Sequence, residues 1–259
     1  MGTSSRYNGP VDRNPLLPEG FDLEEYLPKE DEKTHKEESI SLPWKNAKTI
    51  MTNYLSGNTD AKSVIKTYIK ALGGSTKAGK SASSGKEAIK NLSNFLSNIS
   101  SLGIKEVLEK NKIEYQNRNI EDVLSDIINI LSPIPDSKEN SVARSAMINT
   151  IEDIYLDICE KNSDITMLDD LTKENYNNIV ETFIINYIFE RLMNDLSNRS
   201  ELSKMEPVHI IRLEENLNLY ISETVENNLK NKLDFSKTDL INIIEELYID
   251  AYEVLEGAL

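Results

Sequence analysis

Cysteine and histidine are nearly absent from this chain of 259 residues, which contains one cysteine and two histidines. A single cysteine excludes an intrachain disulfide scaffold, and Cys159 lies in the apolar stripe of a predicted helix, where a buried structural thiol is expected. The two histidines are His35, in a charged run predicted to be disordered, and His209, at the start of a predicted helix, so neither a histidine-based catalytic triad nor a histidine metal cluster is predicted. We therefore expect a protein that is not an enzyme and that holds no metal or cofactor.

Long hydrophobic runs are also missing. No window approaches the roughly eighteen consecutive apolar residues of a transmembrane helix, and the N-terminus lacks the apolar run of a secretory signal. Basic residues are fewer than acidic ones, 29 against 44, which gives a formal net charge of −15. A field of this sign repels phosphate, so general binding to nucleic acid or to membranes is not expected. The sequence predicts a cytoplasmic protein.

What the sequence does contain is helical periodicity. Apolar residues recur at spacings of three and four from Trp44 onward, and no segment alternates with period two for long enough to predict a strand. The apolar stripes are wide, as in packed bundles, and no repeat of fixed period is found. We predict an all-α fold, a multi-helix bundle, with helices near residues 44–55, 60–72, 86–101, 104–111, 119–131, 139–161, 172–197, 206–231 and 236–256.

The bundle is predicted to follow an extended or disordered N-terminal tail, residues 1–43. Three prolines among the first eighteen residues fix φ and remove backbone donors, which favours an extended strip broken by turns. Residues 29–38 form a charged run with almost no apolar content, as is typical of an acidic linker. The helical domain then covers residues 44–259, and a proline pair within 132–138 marks a candidate subdivision.

The most specific chemical hypothesis concerns the N-terminus. Methionine aminopeptidase removes the initiator methionine before a residue as small as glycine, so the mature chain is expected to begin at Gly2. An α-amine has a pKa near ~8, which leaves about a tenth of it neutral and nucleophilic at pH 7. Thr3, Ser4 and Ser5 are small enough to thread into a partner's pocket, and the arginine at the sixth position excludes N-myristoylation. The alternative is an ordinary frayed terminus.

A second candidate is a basic segment, residues 61–90, in which seven lysines against one glutamate leave a charge of +6. Its glycine- and serine-rich part, residues 73–85, is predicted to be a loop, with Lys77, Lys80 and Lys86 as the basic residues in it or beside it. Such a surface could hold a partner's acidic face, a nucleic-acid backbone or the chain's own acidic linker. The alternative is a solvated loop that binds nothing.

The same segment matches the phosphate-loop pattern G-x-x-x-x-G-K-[S/T] from Gly74 to Ser81. That chemistry requires a buried strand entering the loop and a helix leaving it, so that backbone donors converge on the phosphates. Residues 64–72, which precede the loop, have helical spacing, and no later apolar strand ends in an aspartate suited to Mg²⁺. The context argues against a nucleotide site.

Two parts of the sequence together form a recognisable pattern. The first is the opening, with Met1-Gly-Thr-Ser, Gly9-Pro10 and Pro15-Leu-Leu-Pro18. The second is the glycine-, serine- and lysine-rich segment that leads into Ala88-Ile-Lys-Asn-Leu-Ser-Asn-Phe-Leu. These two parts resemble the QatB family of the bacterial Qat anti-phage defence system. The rest of the chain matches only in its helical character, and the second segment has lysines where the family is expected to have more arginines.

The resemblance implies a non-enzymatic subunit encoded beside an ATPase, a QueC-like enzyme and a TatD-like nuclease. QueC-type enzymes use ATP to activate a 7-deazaguanine carboxylate for attack by an amine. The resemblance therefore suggests that the amine of Gly2 attacks the activated acid and that the chain is a protein substrate. Docking onto the enzyme would involve Gly9, Pro10, Leu16 and Leu17.

Two further hypotheses stay open on the sequence alone. The chain could be a helical adaptor that docks onto the ATPase or the nuclease, in which case changes at Leu16, Leu17 or the lysine loop matter and changes at Gly2 do not. It could also bind a nucleotide through Lys80, which predicts an ATP-dependent stabilisation that Lys80→Ala removes. We favour the substrate and adaptor hypotheses, which are compatible with each other.

Overall fold

The computed structural model describes residues 34–160, 164–197, 206–229 and 240–257. These residues form ten α-helices and one 3₁₀ helix with no strand among them, which confirms the predicted all-α fold. The α-helices are α1 (Thr34–Leu55), α2 (Ala61–Leu72), α3 (Ser75–Lys80), α4 (Ser83–Leu102), α5 (Ile104–Lys110), α6 (Ile120–Leu131), α7 (Lys138–Glu160), α8 (Lys173–Leu196), α9 (Pro207–Leu229) and α10 (Leu240–Gly257), and the 3₁₀ helix, Ile165–Asp170, lies between α7 and α8.

The first helix begins earlier than the sequence predicts. α1 starts at Thr34 rather than at Trp44 and has Pro43 inside it, so the predicted linker, residues 29–38, is helical from Thr34 onward. Lysine and glutamate are common in linkers and are also good helix formers, so a charged run of this composition can continue a helix. The chain divides between Ile40 and Ser41, and the packing described below is that of the second unit.

The core is built around α4. This helix contacts α5, α6, α7, α8, α10 and the 3₁₀ helix. Its apolar residues recur every three or four positions, which places them on one stripe that can face several neighbours at once. The buried residues of that stripe are Ala88, Ile89, Leu92, Phe95, Leu96 and Ile99.

Helix ends match the sequence prediction where the capping residues lie next to the helix in the sequence. Thr172 caps α8: its Oγ1 accepts a hydrogen bond from the Asn175 N–H at 3.3 Å, and Asn175 Oδ1 accepts one from the Thr172 N–H at 2.9 Å. Gly73 ends α2 with a φ of 95°, a left-handed conformation that glycine adopts without steric cost. The predicted capping residues 236–239 lie outside the described residues. So does the side chain of Cys159, whose predicted burial is therefore not tested, although its backbone belongs to α7.

The predicted glycine- and serine-rich loop, residues 73–85, is wrong. Ser75–Lys80 forms α3 and α4 begins at Ser83, so only Ser81 and Ala82 separate two helices. Glycine and serine have low helix propensity, and the local sequence therefore favours a loop. Packing overrides that preference, because Ala78 and Ala82 are fully buried and α3 lies against α10.

Candidate functional site

The N-terminal candidates lie outside the described residues, and the structure neither places them nor brings them together. They are Gly2, Thr3, Ser4, Ser5, Gly9, Pro10, Leu16 and Leu17. The candidate site that the structure does describe is the basic segment, which extends from α2 through α3 into α4. Its geometry decides which of its lysines are available to a partner.

Two glycines let α3 and α4 approach their neighbours closely. A Cβ atom at Gly79 would lie 2.8 Å from the backbone nitrogen of Ile249 on α10 and 2.9 Å from its Cα. A Cβ atom at Gly85 would lie 2.6 Å from the Tyr248 hydroxyl oxygen and 2.7 Å from Tyr187 Cε2. Contacts this short exclude any side chain, so both glycines serve packing.

Charged side chains from distant helices hold both ends of α3. The backbone N–H of Ser75 donates to Glu256 Oε2 at 3.1 Å, so a carboxylate from α10 caps the N-terminus. Arg191 on α8 donates from Nη1 to the Ala78 carbonyl at 3.1 Å and from Nη2 to Ser81 Oγ at 2.8 Å. An acid at the N-terminus and a cation at the C-terminus both complement the helix dipole.

The start of α4 is held by Glu139. Its carboxylate accepts hydrogen bonds from the Ser84 N–H, from Ser83 Oγ and from the Tyr187 hydroxyl, each at 3.1 Å. Burial, together with the charge of Glu139 and other neighbours, raises the pKa of Tyr187 well above its ordinary value, so this hydroxyl stays protonated and donates. The cluster is a structural network that fixes how α4 meets α7 and α8.

The predicted loop lysines have different surroundings. Lys86 is engaged, since its Nζ donates to the Lys80 carbonyl at 3.0 Å and pairs with Glu245 Oε2 at 2.9 Å. The bond from Lys86, with a further contribution from the charge of Lys80, lowers the pKa of Glu245. Lys77 is exposed, and its side chain lies over Gly73, where an added Cβ would meet Lys77 Cδ at 2.6 Å.

A row of lysines on α2 continues this basic surface. Lys62, Lys66 and Lys70 recur every four residues, which places them along one ridge about 6 Å apart per step. Lys62 is close enough to the capping Asp60 to help lower the pKa of that carboxyl, which falls mainly through its bond to Ser63. No ion pair between described residues involves any of the three. We call Lys62, Lys66, Lys70 and Lys77 the lysine surface.

The phosphate-loop pattern does not form a phosphate site. Gly74 to Ser81 follows a helix, α2, rather than a strand. The residues form a helix of six residues, and the Ser75 N–H at its N-terminus already donates to the carboxylate of Glu256. A carboxylate in that position repels phosphate oxygens, so the geometry supports the interpretation that this motif binds no nucleotide.

Two other properties bear on function. Within the described ranges, no three histidine, cysteine, aspartate or glutamate residues lie close enough to share a metal ion. The helices of these ranges include none that is long and apolar enough to cross a membrane.

Comparison with known proteins identifies a family. The family model described as Qat anti-phage system associated protein QatB matches residues 73–255, which extend from the C-cap of α2 to Leu255 in the last turn of α10. Searches of curated proteins and of solved structures give no match. The family match covers more than half of the chain and includes α3 and Arg191 of α8, which holds its C-terminus, whereas Glu256 lies one residue beyond the match. The chain therefore belongs to the QatB family of Qat anti-phage system associated proteins.

Proposed function

We propose that this anti-phage defence component is a non-enzymatic protein substrate, whose N-terminal Gly2 is modified by a QueC-like partner enzyme. In this proposal the helical domain is the carrier and the tail before it presents the reactive amine. The partners would be the QueC-like enzyme and, within the same defence system, an ATPase and a TatD-like nuclease. Membership of the QatB family supports a place in the defence system.

The observation that most supports a carrier role is how the helical domain uses its acids. Glu139, Asp169 and Glu256 each accept a backbone N–H at the N-terminus of a helix, α4, α5 and α3 respectively. Each of these carboxylates satisfies a backbone donor at a helix N-terminus and so supports the fold. A domain that uses its acids in this way is suited to carry the tail that presents the Gly2 amine.

The proposed modification is an amide-forming acyl transfer. The neutral Gly2 nitrogen attacks the carbonyl carbon of the activated 7-deazaguanine carboxylate, and a nitrogen–carbon bond forms. The bond between that carbon and the oxygen of the activating group breaks, and the nitrogen loses one proton to solvent or to the enzyme. ATP supplies the activation, so no oxidant or reductant is needed. The product carries no charge at its N-terminus.

The test compares two substitutions at the same position. Gly2→Pro allows removal of the initiator methionine but converts the primary amine into a secondary amine inside a ring, so we expect labelling by the QueC-like enzyme to be lost. Gly2→Ala keeps a primary amine and should still be labelled. Intact mass after co-expression is the readout. Labelling of the proline variant at the level of the unaltered chain would refute the proposal.

A second candidate function, an adaptor that is not modified, is favoured by the lysine surface. Three like charges at spacings of four on α2 repel one another and destabilise the helix by about 0.2–0.5 kcal/mol per pair. Lysines with no acid between them on the helix would be stabilised by an acidic partner surface. The whole chain is acidic and repels polyanions in general, so a local basic surface would bind only a partner whose acidic side chains fit that surface.

The adaptor hypothesis is tested by charge reversal. Lys66→Glu combined with Lys70→Glu should weaken binding to the ATPase or the nuclease by about tenfold or more, and the loss should shrink at high salt. Lys48→Glu combined with Lys105→Glu makes the same change of charge at exposed positions elsewhere and serves as the control. Equal effects of the two pairs would show that the lysine surface is not the binding site.

A further inference from the structure

A groove lies between α8 and α9, on the side of α9 that faces away from the core. Its volume is about 440 Å³, and it is lined by Phe189 of α8 and by Ile211, Glu214, Glu215 and Leu219 of α9, among others. The buried stripe of α9 is separate, with Leu213, Leu217, Ile221 and Val225 directed into the core. The groove is therefore a second, outward-facing apolar feature of the same helix.

Large apolar side chains are exposed in this groove and one turn before it on α9. Ile211 and Leu219 are 53% and 54% exposed, and Val208, one turn before Ile211, is 78% exposed. Their positions, 208, 211 and 219, fall on one face of the helix at spacings of three and eight. Single exposed apolar residues need no explanation, but three on one helix face beside a groove are typical of an interaction site.

Acids border the apolar part of the groove. Glu214 and Glu215 line it directly, and Glu190 of α8 is close enough for its charge to contribute to the raised pKa of Glu214, after burial as the larger cause. Burial also raises the pKa of Glu190, although its carboxylate accepts a hydrogen bond from Asn149 Nδ2 at 3.0 Å. Carboxylates in this situation are stabilised by an added cation.

We propose that the groove between α8 and α9 binds a basic amphipathic helix of a partner protein. The apolar residues of that helix would pack on Phe189, Ile211 and Leu219, and its lysines or arginines would reach Glu214 and Glu215. A helix laid into a groove through anchors at spacings of three, four and seven is a recurrent mode of recognition. From Val208 to Leu219 the face is about 17 Å long, which accommodates roughly three turns of a partner helix.

A second copy of this chain is a poorer occupant. The basic surface described here lies on α2 and α3, whereas the large exposed apolar residues of the described ranges lie on other elements. The lysine surface would bring positive charge without the apolar anchors that the groove requires. The proposed site does not involve Gly2, so a result against the modification of Gly2 would not count against this site, and the reverse also holds.

The test uses the full chain and a designed peptide as the probe. The peptide is a fluorescein-labelled helix of fifteen residues, with leucine at spacings of three and four and lysine at the remaining positions. A matched peptide has glutamate in place of lysine. Fluorescence anisotropy at near-physiological salt should show binding of the lysine peptide and at least about hundredfold weaker binding of the glutamate peptide.

Matched pairs of substitutions locate the binding. Ile211→Ser with Leu219→Ser, and separately Glu214→Gln with Glu215→Gln, should each weaken the lysine peptide about tenfold or more. Two control pairs remove the same chemistry elsewhere: Ile134→Ser with Leu156→Ser at exposed apolar positions, and Glu246→Gln with Glu253→Gln at exposed acids. The controls should change the affinity less than about twofold, because exposed positions away from the groove make no contact with the peptide.

Three results would overturn the proposal. Equal weakening by the groove and control pairs would mean that the peptide is attracted only by the net negative charge of the chain. Loss of affinity with the glutamine pair but not with the serine pair would mean that the apolar groove takes no part. Absence of measurable binding to the unaltered chain would rule out a basic helix as the occupant. Unchanged thermal unfolding of the variants shows that the fold is intact.

Discussion

The close approach of α3 and α10 makes Gly79→Ala a sensitive probe of the fold. The new Cβ would lie 2.7 Å from Ile249 Cγ1, 2.8 Å from its nitrogen and 2.9 Å from its Cα. Two of these atoms belong to the backbone, so α10 must move and rotation of a side chain cannot relieve the clash. Overpacking costs about 1–3 kcal/mol, and we expect the upper half of that range, about 2–3 kcal/mol, because backbone atoms must shift. Alanine regains about 1 kcal/mol of helix propensity. We expect a net loss of about 1–2 kcal/mol, equivalent to a Tm lower by roughly 2–8 °C.

Urea unfolding followed by circular dichroism measures this loss. The matched control is Gly257→Ala, because a Cβ at Gly257 meets no atom within 4 Å and its φ lies outside the positive range that disfavours alanine. That variant should be as stable as the unaltered chain or slightly more stable. If Gly79→Ala behaves like Gly257→Ala, then α3 does not pack on α10 as described, and the helical form of the basic segment is wrong.

Three further predictions concern charged or titratable groups. Arg191→Met removes two hydrogen bonds that hold α3, so urea unfolding should show a loss of about 2–4 kcal/mol, and a loss below about 1 kcal/mol would contradict that role. Burial raises the pKa of Glu190, so its contribution to stability is present at low pH and is lost as pH rises through the folded pKa. Glu190→Gln should therefore raise the Tm at pH 7.5 but not at pH 4. Glu152→Gln, at an exposed position, should leave the Tm unchanged at both pH values. A Tm gain for Glu190→Gln at both pH values would argue against burial of the ionised carboxylate as the cause. Labelling of Gly2 should be about tenfold faster at pH 7 than at pH 6, as for an amine of pKa near ~8, and equal rates with an enzyme of constant activity would argue against the free amine.

The elements with strong periodicity could be predicted from sequence. The helices α6, α7 and α9 lie within one or two residues of the predicted bounds at their described ends, because each has a wide apolar stripe and, for α6, a following proline. The helix caps at Thr172 and Gly73 could also be predicted, because their hydrogen bonds involve only residues within four positions. In these cases the signal and the structure it specifies lie in the same short segment.

The basic segment could not be predicted, because what orders it lies elsewhere in the chain. The bond between Ser75 and Glu256 joins residues 181 positions apart, and Arg191 reaches Ala78 across 113 positions. The glycines that favour a loop in isolation are what permits close helix packing in the fold. Local propensity therefore gave the wrong secondary structure for Gly79 and its neighbours.

The candidate sites also differ in how far the sequence predicts them. The lysines of residues 61–90 were identified from charge counting, but only the structure shows that Lys86 is paired with Glu245 while the ridge on α2 has no paired acid among the described residues. The groove between α8 and α9 was missed, although Ile211 and Leu219 lie off the buried stripe of α9, because single apolar residues on the outer face of a helix are common and indicate nothing by themselves. The groove itself depends on how α8 and α9 pack, which no local pattern reveals.

The measurement that most directly tests the proposed function is the intact mass of the chain, with mapping of its N-terminal peptide. The protein is produced with and without an active QueC-like enzyme encoded beside it. We predict an added mass of the size of a deazaguanine acyl group, confined to the peptide that begins at Gly2 and present only with the enzyme. An unmodified Gly2 in both samples, with the enzyme shown to be active, would contradict the substrate role and leave the adaptor hypothesis.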